Sequence, residues 1–124
     1  MAENKLKSFT DLNAWKEAHK LVLMIYKIIK DFPKEEISGL TNQIRRAVIS
    51  ITSNIAEEFS RNSCKERIQF YAISLGSLSE SQNQLLTVRN VGYISNDKFK
   101  IIAEQNILTI KLLNGLIRSA RNFS

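Results

Sequence analysis

The sequence is short of the residues that support covalent, metal-based or acid-base chemistry. Its 124 residues include one cysteine, Cys64, and one histidine, His19. A single cysteine excludes an internal disulfide and a cysteine-based metal cluster, and a single histidine excludes a multi-histidine site. Glu17 precedes His19 by two residues, which places them on different helix faces rather than in a di-metal ExxH pair. We therefore expect no catalytic residue, no metal and no cofactor, and we predict that the protein is not an enzyme.

Proline and glycine are also scarce, with one proline and four glycines, and long apolar runs are missing. No glycine-rich phosphate loop is present. The first apolar run, residues 21–29, contains Lys27 and is too short to span a bilayer. It also lies too deep in the chain to be a signal peptide. We therefore expect a cytoplasmic protein that does not bind membranes.

What the chain does have is positive charge. Eighteen lysines and arginines against twelve aspartates and glutamates give a formal net charge of +6. A basic protein attracts polyanions such as nucleic acids, because binding releases their counterions. Many small proteins are this basic for solubility alone, so the charge leaves both interpretations open.

Apolar residues recur at spacings of three and four over about residues 11–32, 40–60, 63–91 and 96–119. Proline at position 33 ends the first of these helices, and Gly92 suits the C-terminal cap of the third. Ser63 and Glu66 have capping-box spacing at the start of the third. Short connections between long helices favour antiparallel neighbours. We predict an all-α fold, an antiparallel up-down-up-down four-helix bundle forming one domain over residues 1–124.

The second helix has an apolar face and a face of small polar residues around Arg46 and Glu57. Long solvated side chains are few on this face, which suggests that a partner approaches closely. We predict structural ion pairs of Arg45 or Arg46 with Glu57 or Glu80, because a partly buried arginine needs a partner. Contact of Arg45 and Arg46 with phosphate is the alternative.

Helices one and four each carry a second apolar side beyond the one that a bundle buries. Soluble monomers rarely expose such large apolar patches, so we expect self-association. Shielding by loops and lysine stems is the alternative. In helix three, Gly76 lies in a strip of small residues, which suggests a close helix contact there.

Two groups of basic residues are candidates for nucleic-acid binding. The first is a strip on helix one with no acid among its members, formed by Lys16, Lys20, Lys27 and Lys30. The second is a cluster diluted by nearby glutamates and formed by Arg61, Lys65 and Arg67. No exposed aromatic residues are interleaved with them, so binding would follow shape and backbone charge. A plain solvated face is the alternative for the strip.

Several blocks, in order along the chain, carry a family resemblance. They are Phe9-x-Asp11-Leu12-x-Ala14-Trp15-Lys16-x-Ala18-His19, Phe32-Pro33-Lys34-Glu35-Glu36, Gly39-Leu40-x-x-Gln43-Ile44-Arg45-Arg46-Ala47, Ser50-Ile51-x-x-Asn54-Ile55-Ala56-Glu57, Gly76-Ser77-Leu78-x-Glu80 and Gly92-Tyr93-Ile94. Together they resemble the four-helix-bundle proteins encoded by intervening sequences in bacterial 23S ribosomal RNA genes. One departure is Glu58, where the family pattern has glycine.

The resemblance implies a ring-like homo-oligomer, a pentamer, that associates with 23S ribosomal RNA or its insertion. Similar bundles also serve as basic accessory subunits beside reverse transcriptases. Neither role implies an active site. Two functions therefore remain: an RNA-associated homo-oligomer, and a protein-interaction scaffold that does not bind nucleic acid.

Overall fold

The computed structural model describes residues 6–122, and four long helices occupy most of that range. They are α1 (Asn13–Ile29), α2 (Leu40–Phe59), α3 (Cys64–Asn90) and α4 (Asn96–Asn122), with short 3₁₀ helices at Phe9–Asp11 and Lys34–Glu36. The described range contains no strand, and the predicted all-α class with four helices is confirmed. The expected domain bounds, residues 1–124, reach beyond the described residues at both ends.

The helix ends follow the local capping chemistry. The Ser63 hydroxyl accepts the Glu66 N–H at 3.1 Å and starts α3. Gly92 follows the end of α3 with φ +86°, a left-handed conformation that favours glycine. The first helix begins later than expected, because Ser8 and Asp11 form a capping box for the preceding 3₁₀ turn. The last helix continues to Asn122, past the expected end at residue 119.

Each helix packs against its neighbours in sequence, and α1 also packs against α4, so the four helices form a bundle around one core. The centre of that core is made of fully buried aliphatic side chains contributed by every helix: Leu21, Ile25, Ile44, Ile51, Ile55, Leu78, Leu85 and Leu113. Burying a side chain of this size contributes roughly 1.5–3 kcal/mol. These positions match the apolar periodicity of the sequence.

A seam of small polar residues joins α2 to α3 inside the bundle. The buried Ser74 hydroxyl donates to the Ile51 carbonyl at 2.9 Å, and the Ser77 hydroxyl donates to Ser50 Oγ at 2.9 Å. Small side chains with internal hydrogen-bond partners let two helices approach closely at little polar cost. The predicted close contact at Gly76 is wrong, because Gly76 is exposed and a Cβ there would meet no atom within 4 Å.

The seam extends to α4 through a buried asparagine. Asn106 is 1% exposed, and its Nδ2 donates to Ser81 Oγ at 3.1 Å and to the Leu78 carbonyl at 3.3 Å. Hydrophobic periodicity gives no sign of this polar contact. The contact satisfies the Asn106 amide nitrogen, whereas its Oδ1 is buried with no hydrogen-bond partner among residues 6–122. It fixes how α3 and α4 meet, because a buried amide nitrogen without partners would be costly.

Candidate nucleic-acid interface

The four lysines of the strip are exposed: Lys16, Lys20 and Lys27 lie on one side of α1, and Lys30 follows its last residue. The structure adds two features that sequence reasoning missed. Leu23 lies at the centre of the strip and is 56% exposed. An acid also reaches the strip, since Glu17 Oε2 accepts from Lys20 Nζ at 3.1 Å. The expectation of a strip without an acid is therefore wrong at Lys20.

Glu17 is held in place from α4. Gln105 Nε2 donates to Glu17 Oε1 at 2.9 Å and to the Glu17 carbonyl at 2.7 Å. The hydrogen bond from Gln105, followed by that from Lys20, lowers the pKa of the Glu17 carboxyl. Because Glu17 stays ionised at neutral pH, it reduces the charge available at Lys20.

Arg45 and Arg46 point away from each other on α2. Arg45 is half-buried and donates through Nη2 to Asn42 Oδ1 at 3.2 Å, whereas Arg46 is exposed. Both line an open hollow of about 410 Å³ with Tyr26 and Ile49. The hollow places two guanidinium groups beside apolar side chains, an arrangement that suits either phosphate or a protein surface.

The predicted pairing of Arg45 or Arg46 with Glu57 is wrong. Glu57 and Arg46 share a face of α2 but lie three turns apart, about 16 Å along the axis. Glu57 pairs with Arg61 instead. Arg46 and Glu80 do line one hollow of about 400 Å³. Within residues 6–122, however, no ion pair within 4.0 Å joins Glu80 to either arginine.

The second basic cluster, Arg61, Lys65 and Arg67, lies where α2 ends and α3 begins. Lys65 is exposed. Arg61 pairs with Glu57 and lies over the Phe70 ring, 4.9 Å from its centroid. Arg67 Nε donates to the Arg61 carbonyl at 2.9 Å. The structure therefore brings the cluster together but engages both arginines in local contacts.

Beside this cluster lies a buried acid. Glu58 is 3% exposed, its side chain lines the same cavity as Tyr71, and its Oε1 lies 3.7 Å from Arg67 Nε. Its Oε2 is buried and has no hydrogen-bond partner among residues 6–122. Burial raises the pKa of the Glu58 carboxyl, against the smaller lowering effects of Tyr71 and Arg67.

Glu58 lines a cavity of about 260 Å³. The walls come from the segment before α1, the end of α2, the start of α3 and the end of α4: Leu6, Leu12, Phe59, Cys64, Arg67, Tyr71, Leu116, Ser119 and Ala120. A signal for this site exists in the sequence. Glu58 falls three residues after Ile55 and seven after Ile51, on the apolar face of α2, where a carboxyl group is out of place.

The single histidine lies at the edge of the core. His19 stacks on Trp15 with ring centroids 4.7 Å apart, as expected for a histidine at the core boundary. Residues 6–122 contain no group of three or more His, Cys, Asp or Glu side chains placed to hold a metal ion. None of the helices in that part of the chain is long and apolar enough to cross a membrane.

Comparison with known proteins supports the resemblance. The family profile described as 23S rRNA-intervening sequence protein matches residues 10–115. A crystal structure of a protein of unknown function from the S23 ribosomal protein family of Bacteroides thetaiotaomicron superposes with a TM-score of 0.78. The two are 22% identical over 84% of this chain and 97% of the other, a level that supports the fold alone. A comparison with curated proteins gives no match.

Proposed function

The chain belongs to the 23S rRNA-intervening sequence protein family, and from that premise we propose that it is a non-enzymatic, RNA-associated homo-oligomer. Its target is 23S ribosomal RNA or the intervening sequence, bound through backbone charge contacts. The family description supports the choice of RNA. The lone cysteine fits a reducing compartment, and we place the protein in the cytoplasm.

We infer an up-down-up-down arrangement of the four helices. Tyr93, between α3 and α4, donates to Glu36, between α1 and α2. The Glu58 cavity is lined from the other ends of the same helices. Both observations support antiparallel neighbours throughout, because connections one and three then meet at one end of the bundle.

We propose that the chain assembles with itself, as a pentamer in keeping with the family resemblance. Large apolar side chains outside the lysine strip remain exposed on both helices whose sequences carry a second apolar side: Tyr26, Ile101, Ile107 and Leu108. Assembly would remove them from water. Light scattering should give a mass of five times 14.2 kDa. Another multiple would contradict the pentamer, and a monomer at all concentrations would contradict self-association.

The observation that carries RNA binding is the exposure of the lysine strip. Within residues 6–122 only Lys20 of the strip has an ion pair, so Lys16, Lys27 and Lys30 offer free ammonium groups. Three phosphate contacts on single-stranded RNA give a salt slope of roughly −2 per protomer, and repetition around an oligomer increases it.

The test is a fluorescence titration of single-stranded RNA at two salt concentrations. One variant carries Lys→Gln at Lys16, Lys27 and Lys30, and a matched control carries Lys→Gln at Lys34, Lys100 and Lys111, which are also exposed. Both lose three charges. We expect the strip variant to lose more affinity and more salt dependence than the control. Equal losses would mean that the strip is not the binding surface.

The alternative is a protein-interaction scaffold without nucleic-acid binding. The observation in its favour is a strip of small exposed residues on α3, which offers a flat surface to a partner: Ala72, Gly76, Ser79 and Asn83. A stable oligomer that fails to bind RNA at low salt would support the scaffold and reject RNA association.

A further inference from the structure

We propose that the Glu58 cavity accepts one unpaired, amino-bearing base of a bound RNA strand, with cytosine as the preferred base. This inference rests on the proposed RNA association. It adds a preference for one base to binding that otherwise depends only on the charge of the RNA backbone. It assigns the preference to a site separate from the lysine strip.

The carboxyl group supplies an acceptor that the protein does not fully use. Glu58 Oε2 is buried and has no hydrogen-bond partner among residues 6–122, although Glu58 lines an accessible cavity. An unpaired buried oxygen is unfavourable, so an entering hydrogen-bond donor gains more here than at the surface. The cavity therefore suits a ligand that brings an N–H or O–H donor to the carboxyl group.

The charged residues around the Glu58 cavity indicate which kind of ligand could bring that hydrogen-bond donor. Arg67 lines the cavity, and four more basic residues adjoin its lining in sequence: Lys7, Lys65, Arg118 and Arg121. Of the nearby acids, Glu57 and Glu66 are engaged with Arg61, and Asp11, which adjoins Leu12, accepts the backbone N–H groups of Lys7 and Ser8. A free cation would be repelled from this end of the bundle, whereas a neutral donor attached to a phosphate chain would be attracted.

The size and walls of the cavity favour a single ring. Its volume of about 260 Å³ is below the roughly 300–1,000 Å³ of sites for drug-sized ligands. Tyr71, Phe59 and Leu116 give it aromatic and apolar walls against which a base can pack. Among single-ring bases, cytosine presents its N4 amino group to a carboxylate, whereas uracil presents the O4 acceptor at the same position.

The experiment compares oligo(C) with oligo(U) of equal length at neutral pH. The proteins are the wild type, Glu58→Leu, and the matched control Glu57→Leu, which removes the same charge from the neighbouring, exposed acid. We expect the wild type to prefer oligo(C) by about tenfold. Glu58→Leu should bind both strands equally, and Glu57→Leu should keep the preference.

Thermal unfolding confirms that each variant is folded. Glu58→Gln keeps the shape of the side chain and should show a reduced preference, because a neutral acceptor forms a weaker bond; it carries the test if Glu58→Leu does not fold. Equal binding of both strands by the wild type, or a preference unchanged by either Glu58 substitution, would overturn this inference and leave RNA association standing. Failure to bind either strand at low salt would reject both.

Discussion

A tyrosine and a glutamate interact near each end of α2, and the two pairs differ in how well the carboxyl group is satisfied. Near the start of the helix, the Tyr93 hydroxyl donates to Glu36 Oε2 at 2.8 Å, and Glu36 Oε1 accepts the Leu40 N–H at 3.2 Å. Near its end, Tyr71 faces the same cavity as the buried Glu58, whose Oε2 has no hydrogen-bond partner in the described range. Both oxygens of the Glu36 carboxylate accept hydrogen bonds, and Glu36 connects two loops. The Glu58 carboxyl group has an oxygen without a hydrogen-bond partner in that range and lies beside a cavity.

The causes of the pKa shifts of the two tyrosines differ in the same way. The pKa of Tyr93 is raised first by its hydrogen bond to Glu36. The pKa of Tyr71 is raised first by burial and then by the neighbouring Glu58 carboxyl. Desolvation is therefore the largest cause of the tyrosine pKa shift only at the Glu58 end of α2. A missing hydrogen-bond partner destabilises the folded state more at this buried end than it would near solvent.

The largest expected effect comes from removing one hydroxyl at each end. Tyr71→Phe removes the hydroxyl group that favours the ionised form of the buried Glu58 carboxyl, and we expect it to lower the free energy of unfolding by about 1–3 kcal/mol. Tyr93→Phe removes a bond that water can replace, so its loss should be much smaller. Urea unfolding of both variants measures the contrast, and equal losses would show that the two ends do not differ.

The pH dependence of stability provides a second test at the Glu58 end. Because the pKa of Glu58 is raised above its ordinary value of 4.5, the folded state binds this proton more tightly than the unfolded state. The resulting stability is fully present below pH 4.5 and is lost as the pH rises through the raised pKa. Glu58→Gln does not titrate, so the wild type should lose stability relative to this variant as the pH rises from 4.5.

Urea unfolding of both proteins at several pH values measures this difference, and Glu36→Gln is the control at the other end. A wild type that gains stability relative to Glu58→Gln over the same range would show that the folded state favours the ionised carboxyl. That result would remove the contrast between the two ends.

The helices and most of the core could be predicted from the sequence because both follow from periodic burial. Leu21, Ile51 and Leu113 lie at core positions that helical spacing identifies directly. Positions whose partners come from another helix could not be predicted in this way. Asn106 reads as a polar break in the apolar side of α4, yet it is buried because Ser81 and the Leu78 carbonyl meet it.

The features of the candidate site also differ in whether the sequence predicts them. Exposure of the lysine strip follows from its spacing on one helix, so the sequence was sufficient. The ion pairs were not predictable, because a shared helix face says nothing about distance along the axis: Arg46 and Glu57 share a face, yet Arg61 takes Glu57. Glu58 was visible as a departure from the family pattern, but its cavity depends on four helix ends meeting.

The smallest expected effect is on the pKa of Glu58, and it distinguishes two members of the basic cluster, Arg67 and Lys65. Arg67 Nε lies 3.7 Å from Glu58 Oε1, and its charge is the weakest of the influences on that carboxyl, after burial and Tyr71. Arg67→Met should therefore raise the pKa of Glu58 slightly further, because it removes a cation that favours the ionised form. Lys65→Met removes the same charge from an exposed neighbour and should leave that pKa unchanged. An NMR titration of the Glu58 carboxyl distinguishes the two. A similar shift of the Glu58 pKa in both variants would mean that the whole basic cluster influences the carboxyl group. The close contact with Arg67 would then have no separate effect.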